Sequence, residues 1–276
     1  MHGPAEKKLD KVMNQYFSEA AERYASRIRA QKADKSMMPG QVERILDINS
    51  LMAIYDEFVI LMKYFKGTPD RIVNGKLIQG SPGAWQGIWD KSGLSSLRNV
   101  LRIANVQVPS NLVWGQQDFA DYEMENAVAK IVDTTGKQIG ERVQQGLLNG
   151  ESLDDIAVQI KKYSPSDKTF GYGRAMTIAR TESTNAITGA QLRSYETAKT
   201  DFGVKIKKAW IATKDEHLRD LHWKLEQQYG REDQAIDTTE QFKIAGFSGL
   251  GPGRFGDAGM DINCRCAILP VVSVDD

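Results

Sequence analysis

Apolar and small side chains recur every three or four residues along the first part of the chain, which is the period of an amphipathic helix. The pattern runs from Glu6 to Gln31 and resumes from about Gln41 to Lys66. Pro39 and Gly40 separate the two stretches, and both residue types interrupt helices. We therefore predict two helices here, each with one face turned toward a core.

The middle of the chain alternates between turn-forming and helical patterns. Residues 67–117 carry many glycines and prolines, so we expect short helices joined by turns there. Helical spacing returns from Asp118 to Asn149, and a capping box at Ser152 begins a short helix through Ile160. A long helix is predicted from about Gly173 to Lys199. The chain is thus expected to be helical to about residue 200.

The pattern changes after Gly203. Residues 204–211 and 267–272 are rich in β-branched and apolar side chains, which is typical of strands. We therefore predict an α+β fold, in which a mainly helical N-terminal half precedes a small mixed C-terminal module with a short sheet. The predicted domains are a helical region at 1–116 and a module at 117–276, whose α+β unit spans 201–276.

Charge and cysteine content narrow the function classes. Lysine plus arginine equals aspartate plus glutamate at 36 each, so no global field attracts nucleic acid or an anionic membrane. No apolar run approaches the roughly 20 residues that cross a bilayer, and the N-terminus has no signal-peptide pattern. Both cysteines lie in one Cys-x-Cys, which favours a reducing compartment such as the cytosol.

A carboxylate falls on the predicted apolar face of the long helix. Glu182 shares that stripe with Ile178 and Gly189. A buried carboxylate needs a cation, so we expect Arg219 or Arg265 to pair with it, while Arg180 points elsewhere. The alternative is that Glu182 is solvated at the edge of the stripe.

A second polar group follows the first predicted strand. A capping box from Thr213 to Glu216 predicts a helix that carries Asp215, Arg219 and His222 on one face. Asp215 would then form an i,i+4 ion pair with Arg219 on this helix. This face either meets Glu182 and the Cys-x-Cys segment or is an ordinary ion-paired surface.

The two cysteines are candidate metal ligands. Cys264 and Cys266 lie two apart on an extended segment, so they point to the same side. With His222 and a fourth ligand from Asp215 or His217 they could form a tetrahedral zinc site. The single spacer residue favours the other interpretation, in which both thiols are buried packing groups and no cofactor is needed.

The sequence contains no recognisable catalytic set. The loop from Gly246 to Gly259 lacks the spacing of a nucleotide-binding loop, and no serine lies in a Gly-x-Ser-x-Gly context. We therefore predict no catalytic residue and no enzyme activity.

Several different short motifs follow one another between about residue 135 and residue 271. They are Gly150 to Leu153, Arg174-Ala175, Ala179 to Glu182, Trp210, Asp215, Arg219, His222, Pro252, Gly253, Asp257 and Asn263 to Cys266. In this order they resemble the phage head morphogenesis or minor head proteins of the phage Mu F-like type. The Pro-Gly-Asp of related loops is split here, which puts a role for Asp257 in doubt.

The resemblance implies a low-copy virion protein near the portal that assists procapsid assembly and contacts packaged DNA or leaves with it. Its implied partners are the portal protein and the major capsid or scaffold protein, without a membrane, and the helical region at 1–116 would be the arm that docks on the portal or capsid. A structural network would hold the module rigid, and its expected members are Arg180, Glu182, Asp215, Arg219, His222, Asn263 and Arg265.

Two other functions stay open. Some proteins fuse this module to toxin domains, so a zinc-dependent hydrolase or a nucleotide-handling transferase is one alternative. A DNA-binding module is the other, since four lysines cluster on and after the first predicted strand: Lys205, Lys207, Lys208 and Lys214.

Overall fold

The computed structural model describes residues 4–30, 57–67, 71–73, 76–78, 83–114, 116–149, 151, 155–156, 158–159 and 172–273. Their contacts separate into two units, each made of two stretches of the chain. The first unit combines Met1–Ala84 with Tyr122–Ala179, and the second combines Trp85–Asp121 with Arg180–Asp276. The division predicted at residue 116, between a docking region and a head module, concerns function and stays a prediction.

The predicted α+β class is confirmed. Long helices precede a small antiparallel sheet, and their bounds are α1 (Pro4–Ala30), α2 (57–66), α3 (Ala84–Ile103), α4 (Gln117–Leu148) and α5 (Tyr172–Phe202). The predicted helix at 41–66 is described only from residue 57, and the Ser152 capping box lies outside the described residues. Among the described residues, no helix has both the length and the apolar character to cross a membrane.

The prediction of short helices across 67–117 is wrong. A short hairpin, β1 (Arg71–Val73) with β2 (Lys76–Ile78), precedes a single helix of 20 residues, α3. Two tryptophans one turn apart, Trp85 and Trp89, are fully buried and stack with ring centroids 5.3 Å apart. Gly93 lies within this helix and does not end it. The ring of Trp114 packs against Gly93 in the space that a side chain at this position would occupy. The glycine therefore serves packing.

The first unit has its own ion pair within an apolar core. The buried face of α1 includes Leu9, Tyr16 and Phe17, as the helical period predicts. Glu57 is fully buried, and each of its carboxylate oxygens accepts a hydrogen bond of 2.7 Å from Arg23. This bidentate pair supplies the cation that a buried carboxylate requires.

The second unit places the C-terminal elements around a small sheet. They are β3 (Ile206–Ile211), α6 (Asp220–Tyr229), a 3-10 turn (Glu232–Gln234), β4 (Ile236–Asp237), β5 (Phe242–Ile244), β6 (Phe247–Gly249), α7 (Ala258–Asp261) and β7 (Ala267–Val272). The two predicted strands are confirmed as β3 and β7. They pair antiparallel from Ile206 opposite Val272 to Ile211 opposite Ala267. With β4 on the other side, β3 is the central strand.

An aromatic cluster forms the core of this sheet. Trp210 of β3 is fully buried and meets the rings of His222, Phe242 and Phe255 edge to face, at centroid distances of 5.6, 5.3 and 6.0 Å. Both cysteines belong to the same buried cluster. The core therefore brings His222 and the Cys-x-Cys segment to one place.

Candidate functional site

The polar residues of the C-terminal module converge on residues 260–266, which lead from α7 into β7. We call this stretch the Asn-Cys segment. Helix α5 holds one side of it: Arg180 donates to Asn263 Oδ1 at 3.3 Å, and Thr181 Oγ1 accepts from the Asn263 amide at 3.0 Å. Thr184 donates to the Cys264 carbonyl at 2.6 Å. Asn263 has φ 58°, a left-handed conformation that asparagine adopts more readily than most residues.

Arg219 holds the opposite end of the Asn-Cys segment. Its guanidinium donates to the Met260 carbonyl at 3.4 Å and to the Ile262 carbonyl. Arg219 is the N-cap residue of α6, so it precedes the helix rather than lying within it. The expected helix beginning at Thr213 is wrong, because the chain between Thr213 and Arg219 turns before α6 begins.

The expected pair between Asp215 and Arg219 is wrong. Asp215 instead forms a bidentate ion pair with Arg265, with nitrogen–oxygen distances of 2.8 and 2.9 Å. Its Oδ1 also accepts from the His217 amide at 2.9 Å, which stabilises the turn. Arg265 therefore points away from the cysteines, as their alternation along an extended segment predicts.

Arg219 and Arg265, the two cations expected to pair with Glu182, bind the Met260 carbonyl and Asp215. Glu182 is half-buried and accepts from Asn185 Nδ2 at 3.4 Å. The buried residues of α5 are mostly small, such as Ser183, Ala186 and Ala190, and they include Gly189 of the predicted stripe but neither Ile178 nor Glu182. Alanine, serine and threonine carry little apolar signal, so the pattern of larger side chains indicated the buried face only in part.

Small residues on α5 let a glycine-rich loop approach. A side chain at Gly251 would meet Thr188, and Gly253 adopts φ 74° beside Asn185. Arg254 donates to the Asn185 carbonyl at 3.1 Å. The loop is thereby fixed against the helix.

Two aspartates order the end of that loop. Asp257 is the N-cap of α7 and accepts from the Met260 amide at 3.1 Å. Asp261 accepts from the amides of Phe255 and Gly256 at 2.7 to 3.1 Å. The split of the Pro-Gly-Asp pattern therefore leaves Asp257 a structural role in the fold.

His222 lies between the two cysteines. Its Nδ1 is 3.5 Å from Cys264 Sγ and 3.4 Å from Cys266 Sγ, and all three side chains are buried. No disulfide joins the cysteines. Within the described residues, these three side chains form a group that could hold a metal ion, because their ligand atoms all lie within 4.8 Å of one another. This arrangement agrees with both interpretations of the sequence, in which the cysteines are either metal ligands or buried packing groups.

The two thiols differ in acidity. Hydrogen bonds with Cys264 and His222 lower the pKa of Cys266 to about 5, although burial acts in the opposite direction. The hydrogen bond with Cys266 and burial raise the pKa of Cys264. Cys266 is therefore the first of the pair to become a thiolate.

A cavity of about 10 Å³ adjoins His222 and the cysteines, which is room for one water molecule. Asp215 and His217, the two candidates for a fourth metal ligand, also line it. The Asp215 carboxylate is held by Arg265, whereas the His217 side chain is 66% exposed. Asp215 is therefore committed to an ion pair.

The four lysines proposed for DNA contact do not form one surface. Lys208 is fully buried, and its ammonium donates to the carbonyls of Thr238 and Leu250 at 2.9 and 2.8 Å. Its assignment as a DNA contact is wrong, because alternation along β3 turns it inward while Lys205 and Lys207 stay exposed. Lys214 is exposed and pairs with Glu226 at 3.5 Å.

The sequence reasoning missed the hydroxyl groups of the site. Thr181 and Thr184 fix the Asn-Cys segment through one amide and one carbonyl, and Thr213 donates to the Arg265 carbonyl. A hydrogen bond from a threonine side chain to the backbone leaves no charge pattern in the sequence. Only the position of these threonines beside the recognised motifs could have indicated their role.

Residues 137–269 match the family model described as Phage Mu protein F like protein, and they include α5, the glycine-rich loop and the Asn-Cys segment. This part of the chain is similar to the phage Mu F-like family. The match confirms the resemblance read from the ordered motifs. Every residue that contacts the Asn-Cys segment in the preceding paragraphs lies inside the phage Mu F-like region.

Two curated proteins are similar to the chain. Minor head protein GP7 of Bacillus phage SPP1 is 31% identical over 131 residues, which cover 47% of this chain and 39% of that protein. The NAD(+)--arginine ADP-ribosyltransferase EFV of Enterococcus faecalis is 29% identical over 230 residues, 82% of this chain and 44% of the enzyme. The chain thus spans less than half the length of either relative. No solved structure matches it.

Proposed function

We propose that the chain is a low-copy minor head protein of a phage, which lies near the portal and assists procapsid assembly. The phage Mu F-like match over residues 137–269 is the observation that carries this proposal. The similarity to a minor head protein agrees with it. The partners we propose are the portal protein and the major capsid or scaffold protein, and the protein acts in the virion.

The bonding of the C-terminal module supports a structural role. Arg180 and Arg219 are engaged by side-chain and backbone oxygens of the Asn-Cys segment, and Arg265 is held by Asp215. Groups bound in this way fix a backbone conformation. A module of this kind suits a surface that must keep its shape while other head proteins assemble on it.

The composition of purified heads tests the proposal. Heads produced with and without this chain are purified on a density gradient, and their proteins are quantified by mass spectrometry against the portal protein. We expect a few copies of the chain per portal. Chemical crosslinking of the same heads should join the chain to the portal or scaffold protein. Complete absence of the chain from heads that contain the portal would overturn the proposal.

A matched pair of variants links assembly to the network. Arg219→Ala removes the guanidinium that binds the Met260 and Ile262 carbonyls. Arg231→Ala is the control, because Arg231 forms an ion pair with Asp233 in which both side chains are more than two thirds exposed. We expect Arg219→Ala to reduce incorporation into heads and Arg231→Ala to leave it unchanged. Equal incorporation of both variants would contradict a role for the network in assembly.

ADP-ribosyl transfer is the second candidate, since the named transferase matches most of this chain. More than half of that enzyme lies outside the match, and we propose that its activity depends on that other part. Purified chain incubated with NAD+ and an arginine-containing acceptor should release no nicotinamide above the buffer rate. Turnover that persists on repurification would replace our proposal with an enzymatic one.

Contact with packaged DNA is proposed only for the exposed lysines beside β3. Lys205 and Lys207 lie on the solvent side of the strand, and neutralising contacts of this kind weaken steeply with salt. Charge reversal at both positions should abolish any salt-dependent DNA retention of the purified chain. Retention that is unaffected by the reversal would remove these lysines from the account.

A further inference from the structure

We propose that His222, Cys264 and Cys266 bind one zinc ion, which ties helix α6 to the Asn-Cys segment. Cysteine sulfur and histidine nitrogen are the ligands that zinc prefers in proteins. His222 is 42 and 44 residues from the two cysteines in sequence, and the fold brings the three side chains together in the core. The proposal is independent of where the protein acts in the phage head.

The distances from His222 to the two cysteines fit tetrahedral coordination, and all three ligand atoms lie within 4.8 Å of one another. Zinc–sulfur bonds of about 2.3 Å and zinc–nitrogen bonds of about 2.0 Å at tetrahedral angles separate sulfur from nitrogen by about 3.5 Å. The observed separations from Nδ1 are 3.5 Å to Cys264 Sγ and 3.4 Å to Cys266 Sγ. An ion could therefore enter with sub-ångström adjustments of the side chains.

The hydrogen-bonding capacity of the imidazole argues against simple packing. The histidine Nδ1 carries either one lone pair or one hydrogen, according to the tautomer, yet two sulfurs lie at nearly equal distances from that atom. A cation shared by the nitrogen and both sulfurs satisfies all three atoms at once. His222 Nε2 is buried and has no hydrogen-bond partner within the described part of the chain, so the ring is held there by the rings around it and by what Nδ1 binds.

The fourth coordination position faces the small cavity. Its volume of about 10 Å³ accommodates one water molecule, and Asp215 on its wall is already held by Arg265. We assign this position to water. His217 lines the same cavity, although its side chain is largely exposed, so it is the alternative fourth ligand.

The ion would act on the fold rather than on a substrate. A site with ligands from two distant segments exists only in the folded chain, so the free energy of binding adds to the free energy of folding. Binding also releases thiol protons to solvent, because zinc coordinates thiolate. The Asn-Cys segment, already fixed by Arg180 and Arg219, would thereby gain a further attachment.

The experiment uses the full chain, purified without a histidine tag from cells grown with zinc. Elemental analysis should find one zinc ion per chain, and replacement by cobalt should produce the absorption of a tetrahedral thiolate complex. His222→Ala and Cys266→Ser should each lower metal affinity by at least the roughly 10- to 100-fold typical of changes near a site. His217→Ala should retain the metal; loss in that variant would support the site with His217 as the fourth ligand.

A second measurement covers variants that fail to fold. Chelation of the wild-type protein should lower its melting temperature and expose both thiols to alkylation, and added zinc should reverse both effects. Wild-type protein that binds neither zinc nor cobalt and has the same melting temperature with and without chelator would overturn the proposal. Metal bound equally by His222→Ala, Cys266→Ser and the wild type would overturn it as well.

Discussion

Lys208 provides the sharpest test of the fold, because the C-terminal module buries an ammonium group completely. Its side chain is inaccessible to solvent and lies 5.1 Å from the centroid of the Phe242 ring. Burial lowers the pKa of Lys208 from 10.5 to about 8, although Asp237 and Glu240 act in the opposite direction. The fold therefore holds this proton less tightly than the unfolded chain does.

The sign and size of the pH effect follow from that difference. Below about pH 8 both states carry the proton, and above 10.5 neither does. Between these limits the unfolded chain alone is protonated, so the free energy of unfolding rises with pH. One pKa unit corresponds to about 1.4 kcal/mol, so the drop from 10.5 to about 8 corresponds to about 3 kcal/mol across the window.

Denaturant unfolding of wild type and Lys208→Met at several pH values measures this effect. The variant has no titrating group at this position, so its difference from wild type isolates Lys208 from other groups. We expect that difference to shift by about 3 kcal/mol in favour of wild type between pH 8 and 10.5. Lys207→Met, on the exposed face of the same strand, should show no such shift. A constant difference for Lys208→Met would refute the buried ammonium.

Three further substitutions test separate parts of the structure by chemical denaturation. Arg23→Ala should cost about 3–5 kcal/mol, because it leaves the buried Glu57 carboxylate without its cation. Thr184→Val should cost about 1–3 kcal/mol by removing the donor to the Cys264 carbonyl. Gly249→Ala should cost about 1–3 kcal/mol or more, since its methyl group would lie 2.6 Å from a backbone oxygen.

Each of these substitutions has a matched control in the chain. Lys137→Ala breaks an exposed ion pair with Asp133 and should cost under about 1 kcal/mol. Thr134→Val removes an exposed hydroxyl bonded within α4, and Gly173→Ala adds a methyl group to open space. Costs equal to those of the buried counterparts would contradict the contacts described here.

The regular elements of the fold were predictable where the apolar side chains are large. Leu9, Tyr16 and Phe17 mark the buried face of α1, and the apolar run 267–272 indicates β7. The prediction was wrong for α3, since Gly93 resembles a helix breaker until Trp114 is known to occupy its place. Long-range packing of that kind leaves no local pattern.

The members of the site were more predictable than their pairings. Arg180, Asp215, Arg219, His222, Asn263 and Arg265 all meet at or beside the Asn-Cys segment, as their shared motifs suggested. Their partners differ, because a turn replaces the predicted helix at Asp215. Glu57 is a buried carboxylate that pairs with a distant cation, Arg23. A single charge within an apolar helical pattern gave no indication of that partner.

The central claim is that this chain is a head protein that acts beside the portal. Imaging of purified heads by electron cryomicroscopy, with and without the chain, tests that claim most directly. The account predicts difference density on or next to the portal into which the phage Mu F-like module fits as one folded unit. Identical maps from the two preparations, with the chain recovered only outside the heads, would contradict it.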